Sequence, residues 1–76
     1  MRSVEGVISV VQEGRFQLVT DGGQVLPFML SHKAAAEPQD LPPLQRAAAR
    51  VRVDYTEAPH LICGVAHRIE VEDRHR

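Results

Sequence analysis

Seventy-six residues make one domain, 1–76, with a core too thin for a large internal site. Nine basic against ten acidic residues leave a net charge of −1, which argues against a strong non-specific hold on nucleic acid. A hydrophobic fraction of 43% excludes a disordered chain, and a single cysteine, Cys63, excludes an internal disulfide.

The chain opens with period-two alternation. Val4, Gly6, Ile8 and Val10 share one parity, and Glu5, Val7, Ser9 and Val11 share the other. That spacing predicts a strand with one buried and one mixed face. "QEGR", residues 12–15, reads as a hairpin turn with Gly14 at the positive φ. "RFQLVTD" alternates again, placing Phe16 and Leu18 inside and Arg15, Gln17 and Val19 outside. "DGGQ", residues 21–24, is the clearest turn. "VLPFML" then predicts a third strand with Leu26, Phe28 and Leu30 inward. Pro27, lacking an N–H, belongs at an edge or bulge.

Residues 31–49 change character. Ser31 is placed to cap a turn through "HKAAAE" before Pro38 stops it, and Asp40 is placed to cap a second segment. Prolines fit only a first helical turn, so about two turns of helix from near Pro43, with Leu44, Ala47 and Ala48 inward, or else a partly ordered loop, are expected. Val51, Val53 and Tyr55 then alternate with Arg50, Arg52 and Asp54, which predicts a fourth strand. "TEAP" reads as a turn. A last strand is expected over 61–71, with Leu61, Cys63, Val65, His67, Ile69 and Val71 inward and Ile62, Gly64, Ala66, Arg68 and Glu70 outward. Order is expected over residues 3–72, with 73–76 a flexible charged tail.

Five strands and a short helix in the order β1-β2-β3-α-β4-β5 predict an all-β class closed into a barrel, because an open sheet this small leaves adhesive edges. "VEGVISVV", "FQLVTDGG" and "VRVDYTE" resemble the first, second and fourth strands of small prokaryotic OB-like (oligonucleotide/oligosaccharide-binding) domains. The resemblance covers residues 4–71 and rests on pattern, not on a functional motif. It implies a five-stranded OB-like barrel and raises single-stranded nucleic-acid binding as one reading; fold alone assigns neither.

No catalytic residue, metal ligand or cofactor is expected. Along a strand rising about 3.3 Å per residue, Cys63 and His67 lie about 13 Å apart and His60 points the other way. A zinc ion needs its ligand atoms within about 2.3 Å, so "HLICGVAH" reads as strand rather than metal site. No histidine reaches Cys63 as a base, and "TDGGQ" lacks the lysine and helix of a phosphate loop.

Two binding readings remain. Val7, Val11, Val19 and Ile62 on outward parities predict an apolar patch for an unidentified protein partner or a homodimer. Alternatively, Arg15, Arg50, Arg52 and Arg68 on the outer parity form a track for single-stranded nucleic acid, although Glu5, Asp21, Asp54 and Glu70 are interspersed and all three aromatics are assigned to the core. No membrane span or signal peptide is read, so a cytoplasmic address is expected.

Overall fold

The computed structural model describes residues 1–58 and 62–72. Strand β1 spans Arg2–Gln12, β2 Arg15–Thr20, β3 Val25–Leu30, β4 Arg50–Glu57 and β5 Gly64–Val71. A 3-10 turn over Pro38–Asp40 runs directly into helix α1, Leu41–Arg46. Neighbouring strands follow the order β1-β2-β3-β5-β4, and β4 pairs back onto β1. The result is a closed, mixed, five-stranded barrel with one helical segment between β3 and β4, consistent with an OB-like fold.

Closure depends on β1 serving two partners. Its residues Arg2–Val7 pair with β4, and those from Gly6 to Gln12 pair with β2. Gly6 lies where the two ladders overlap, opposite both Thr20 and Val51. A Cβ there would stand 2.1 Å from the Val19 carbonyl oxygen, so only glycine lets the backbones approach this closely.

The inward parity of the first four strands largely holds. Ile8, Phe16, Leu18, Phe28, Val51 and Val53 are buried. Phe16 stacks on Phe28 with ring centroids 5.4 Å apart, and Phe28 meets Tyr55 edge-on at 5.0 Å. Pro27 also sits as expected. The Leu30 N–H donates to the Gly14 carbonyl and the Thr20 N–H to the Gln24 carbonyl, so alternate β3 residues point their backbone groups at β2. Pro27 therefore faces away from β2, and β3 pairs with β5 only from Phe28 to Leu30. Its missing N–H costs no ladder bond.

Two β-bulges overturn the expected parity elsewhere. In β1, Ile8 pairs with Leu18 but Val10 with Gln17, leaving Ser9 as the extra residue. Beyond it Val11 turns inward against the core, while Val10 points out and is 47% exposed. In β5, Asp54 pairs with Arg68 but Tyr55 with Ala66, so His67 is the extra residue. Ala66 is consequently fully buried and Ile69 still packs on the core. His67 leaves the apolar row, and its Nε2 lies 2.8 Å from the Thr56 hydroxyl.

Element ends differ as well. Thr56 and Glu57 extend β4 rather than turning, because each finds a partner in β5. The last strand starts at Gly64, leaving Ile62 and Cys63 in the preceding bend; Leu61 lies outside the described residues. A Cβ on Gly64 would stand 2.9 Å from the Phe28 ring, so this glycine makes room for the aromatic cluster. In the first hairpin the positive φ falls on Glu13 (58°) and not on Gly14. The second hairpin is as expected, with Gly23 at φ 89°.

The segment after β3 is a turn rather than a helix, with the Ser31 hydroxyl accepting from the Lys33 N–H at 3.1 Å. The α-helix begins at Leu41, with its prolines inside the first turn, and not near Pro43. Asp40 reaches back to the Glu37 N–H at 2.9 Å instead of capping forward. Leu41, absent from the expected core, is fully buried, and Leu44 packs one turn on from it. Ala47 and Ala48 are exposed.

Helix α1 ends in a Schellman motif. The Ala49 N–H donates to the Leu44 carbonyl and the Ala48 N–H to the Gln45 carbonyl, with Ala48 at φ 50°. An L-residue in this conformation costs about 1–2 kcal/mol, against about 0.5–1 kcal/mol of extra chain entropy for glycine. Ala48→Gly is therefore expected to stabilise the domain by about 0.5–1 kcal/mol in urea unfolding. Ala47→Gly, at an ordinary helical φ of −78°, should destabilise by a similar amount. The reverse order would show that the left-handed cap does not form.

Candidate interaction face

The outer surface of the barrel divides into two regions of opposite chemistry. The first is carried by β4, β5 and the beginning of β1. Cross-strand register there sets Arg52 between Glu5 and Glu70, and Asp54 between Ser3 and Arg68. The Arg50 guanidinium is shared by three carboxylates: Glu5 at 2.6 Å, Glu72 at 3.2 Å and Asp21 in the β2–β3 turn. Arg52 donates to Glu70 at 3.1 Å, and Arg68 pairs with the same Glu70. The Ser3 hydroxyl donates to Asp54 at 2.7 Å.

This clustering follows from alternation itself, since Arg50, Arg52 and Asp54 on one strand must share an outer face with the odd residues of β1. Hydrogen bonding to Asp21 and then Glu5 outweighs partial desolvation and raises the Arg50 pKa above that of a free guanidinium, so it stays charged at any pH the fold meets.

Three of the arginines expected to form a phosphate track are thus held by carboxylates, Arg50 in one cluster and Arg52 with Arg68 in another, and Arg15 is in neither. Arg50, Arg52 and Arg68 face five carboxylates, Glu5, Asp21, Asp54, Glu70 and Glu72, so the region carries excess negative charge. A phosphate chain would have to displace carboxylates already in place. Nor does this region present an aromatic ring: Phe16 and Phe28 are buried, and Tyr55 packs edge-on against Phe28.

The second region is the outer side of β1, β2 and β3. Register lays it out in cross-strand rows. Val7 lies beside Val19 and Val19 beside Val25; Val10 lies beside Gln17 and Gln17 beside Pro27; Gln12 lies beside Arg15 and Arg15 beside Met29. Val25 is 55% exposed and Ile62, in the bend before β5, 98% exposed. Of the expected patch, Val7 and Val19 are therefore cross-strand neighbours. Ile62 joins the face farther along, at Pro27, and Val11 is inside the barrel as the Ser9 bulge requires. Val10, Val25 and Pro27 belong to the face although the expected patch omitted them. Val25 and Pro27 were legible from β3's parity, whereas Val10 was hidden by the bulge.

Two depressions meet under Ile62. One, of about 360 Å³, runs between Pro27, Tyr55 and Glu57, and the other, of about 230 Å³, runs toward Val10, Gln12 and Arg15. Both share Pro27, Phe28, Ile62 and Cys63, so they form one shallow groove with an apolar floor. Cys63 is half-buried in this groove rather than in the core. Helix α1 does not obstruct the face. It covers the far edge of β1, where the Gln45 side-chain amide donates to the carbonyl of bulged Ser9 at 2.7 Å.

Among the described residues no group of three His, Cys, Asp or Glu side chains is disposed to hold a metal ion, and no helix is long and apolar enough to cross a membrane. His60, the third member of the cysteine–histidine stretch, lies outside the described residues. No family model, curated protein or solved structure matches the chain.

Proposed function

We propose that this chain is a non-enzymatic, OB-like binding module that docks a protein partner on the outer face of β1, β2 and β3. The observation that supports the reading is the set of solvent-exposed apolar side chains gathered there, with Val10 at 47% and Ile62 at 98% exposure lining one groove and Val25 at 55% in the cross-strand row with Val19. Single exposed apolar residues are ordinary, but a contiguous patch on so small a barrel is costly in water unless something covers it. Docking uses the face and not a strand edge, because Pro27 has no N–H to give an added strand. Single-stranded nucleic acid is the weaker reading, since most of the outer arginines already have carboxylate partners.

Site-specific photocrosslinking in the native cell tests this. A benzophenone side chain at Gln17 is expected to give a discrete protein adduct that Ile62→Asp abolishes, while the same group at Arg68 gives none. Adducts of equal yield from both positions, or an adduct from Gln17 that persists with Ile62→Asp, would remove the reading.

A further inference from the structure

We infer that the partner on this face is a different protein, and that it presents a carboxylate beside bulky apolar side chains. This rests on the docking reading above and goes beyond it by naming the partner's chemistry.

The argument is one of charge. Arg15 lies in the outer row between Gln12 and Met29 and lines the groove that passes under Ile62. Among the described residues it has no carboxylate partner, whereas Arg2, Arg50, Arg52 and Arg68 each have at least one. The outward strand positions of this face, from Val7 to Met29, include no acid. Glu57, at the other end of the groove, is taken by Arg2 at 2.8 Å.

A second copy of the chain therefore fits poorly. A two-fold contact through this face would offer each Arg15 only Glu57 from the groove lining, a carboxylate that Arg2 already holds. A partner that covers Val10, Pro27 and Ile62 while offering one carboxylate to Arg15 meets both demands. Its apolar groups fill the groove, and the acid accepts charge-assisted hydrogen bonds from the guanidinium. Gln12 and Gln17 flank Arg15 in the adjoining positions and supply amide donors and acceptors for the partner's backbone.

Selection of short random peptides displayed against the immobilised domain tests the inference. Enriched sequences are expected to carry an Asp or Glu adjacent to two or more bulky apolar residues. Arg15→Gln should weaken the winners about tenfold, the loss of one charge-assisted contact, and Arg15→Glu should shift enrichment toward Lys or Arg. Ile62→Asp should lose them altogether, with circular dichroism showing each variant folded.

All-apolar winners that Ile62→Asp abolishes and Arg15→Gln leaves unchanged would overturn the carboxylate while sparing the docking face. Winners insensitive to both substitutions, or no enrichment over bare matrix, would overturn both. Stable self-association of the wild-type domain that Ile62→Asp disrupts would overturn the choice of a different protein. Tighter binding of a single-stranded oligonucleotide than of any peptide, lost with Arg15→Gln, would replace the carboxylate by phosphate.

Discussion

Gly6→Ala is expected to cost more than 3 kcal/mol and to leave much of the protein unfolded at room temperature. A domain of this length has about 4–11 kcal/mol of stability in all, at roughly 0.05–0.15 kcal/mol per residue. The added methyl would stand 2.1 Å from the Val19 carbonyl oxygen and 2.8 Å from the Thr20 Cα, and neither is the end of a flexible side chain. Relief requires β1 to withdraw from β2 by about 1 Å, since carbon and oxygen pack at about 3.3 Å. Gly6 also pairs with Val51, so the same movement strains the contact that closes the barrel.

The measurement is urea unfolding followed by far-ultraviolet circular dichroism. Gly14→Ala is the control. A Cβ there meets nothing closer than the Pro38 Cγ at 3.9 Å, and Gly14 does not hold a positive φ. That variant should lie within about 0.5 kcal/mol of wild type. Equal stability of the two alanine variants would mean that the strands are farther apart at Gly6 than described.

Gly6 also shows what kind of information the sequence carries. Alternation placed it on the inner parity, which is correct, but the reason for glycine lies in a strand that pairs on both sides, and that is a tertiary fact. The same limit explains the bulges. Val10 and Val11 are the same residue type, so nothing local tells which one faces the core after an extra residue at Ser9; the ladder with Gln17 decides it. In β5 the apolar parity runs without a break through His67, yet one inserted residue moved Ala66 into the core.

The candidate face was legible to the extent that parity survived. Val7 and Val19 could be placed outward from alternation, and register then made them neighbours. Ile62 was read as outward in a strand and proved to be outward in a bend, so the right exposure followed from the wrong element. For the arginines, parity showed the direction of each side chain. Which carboxylate each would meet depended on how β4 aligns with β1 and β5, and no local pattern encodes that alignment. The three charged strands therefore became ion-pair clusters and left Arg15 as the cation of the groove.

Leu41 is the largest omission from the expected core, and Leu41→Ala is expected to cost about 3 kcal/mol, within the 2–5 kcal/mol typical of a buried leucine truncated to alanine. The residue hides in "DLPPLQ", where two prolines break the helical pattern that would have marked it. In the fold those prolines occupy the first turn of α1, where no N–H is needed, and they aim Leu41 into the core. It is fully buried against a cluster that includes Ile8, Phe16 and Leu18, and α1 packs chiefly on β1. Truncation leaves a cavity at the centre of a thin core with little freedom to collapse, because the barrel wall is closed by hydrogen bonds all round. At about 4–8 °C per kcal/mol for a domain of this size, the melting temperature should fall by about 12–24 °C. Leu44→Ala, one turn on and only half-buried, should cost about 1 kcal/mol. Leu41→Met, which nearly conserves volume, should cost less than about 1.5 kcal/mol. Thermal unfolding of the three variants separates the cases: if Leu41→Ala melts no lower than Leu44→Ala, the helix merely rests on the barrel and Leu41 does not plug it.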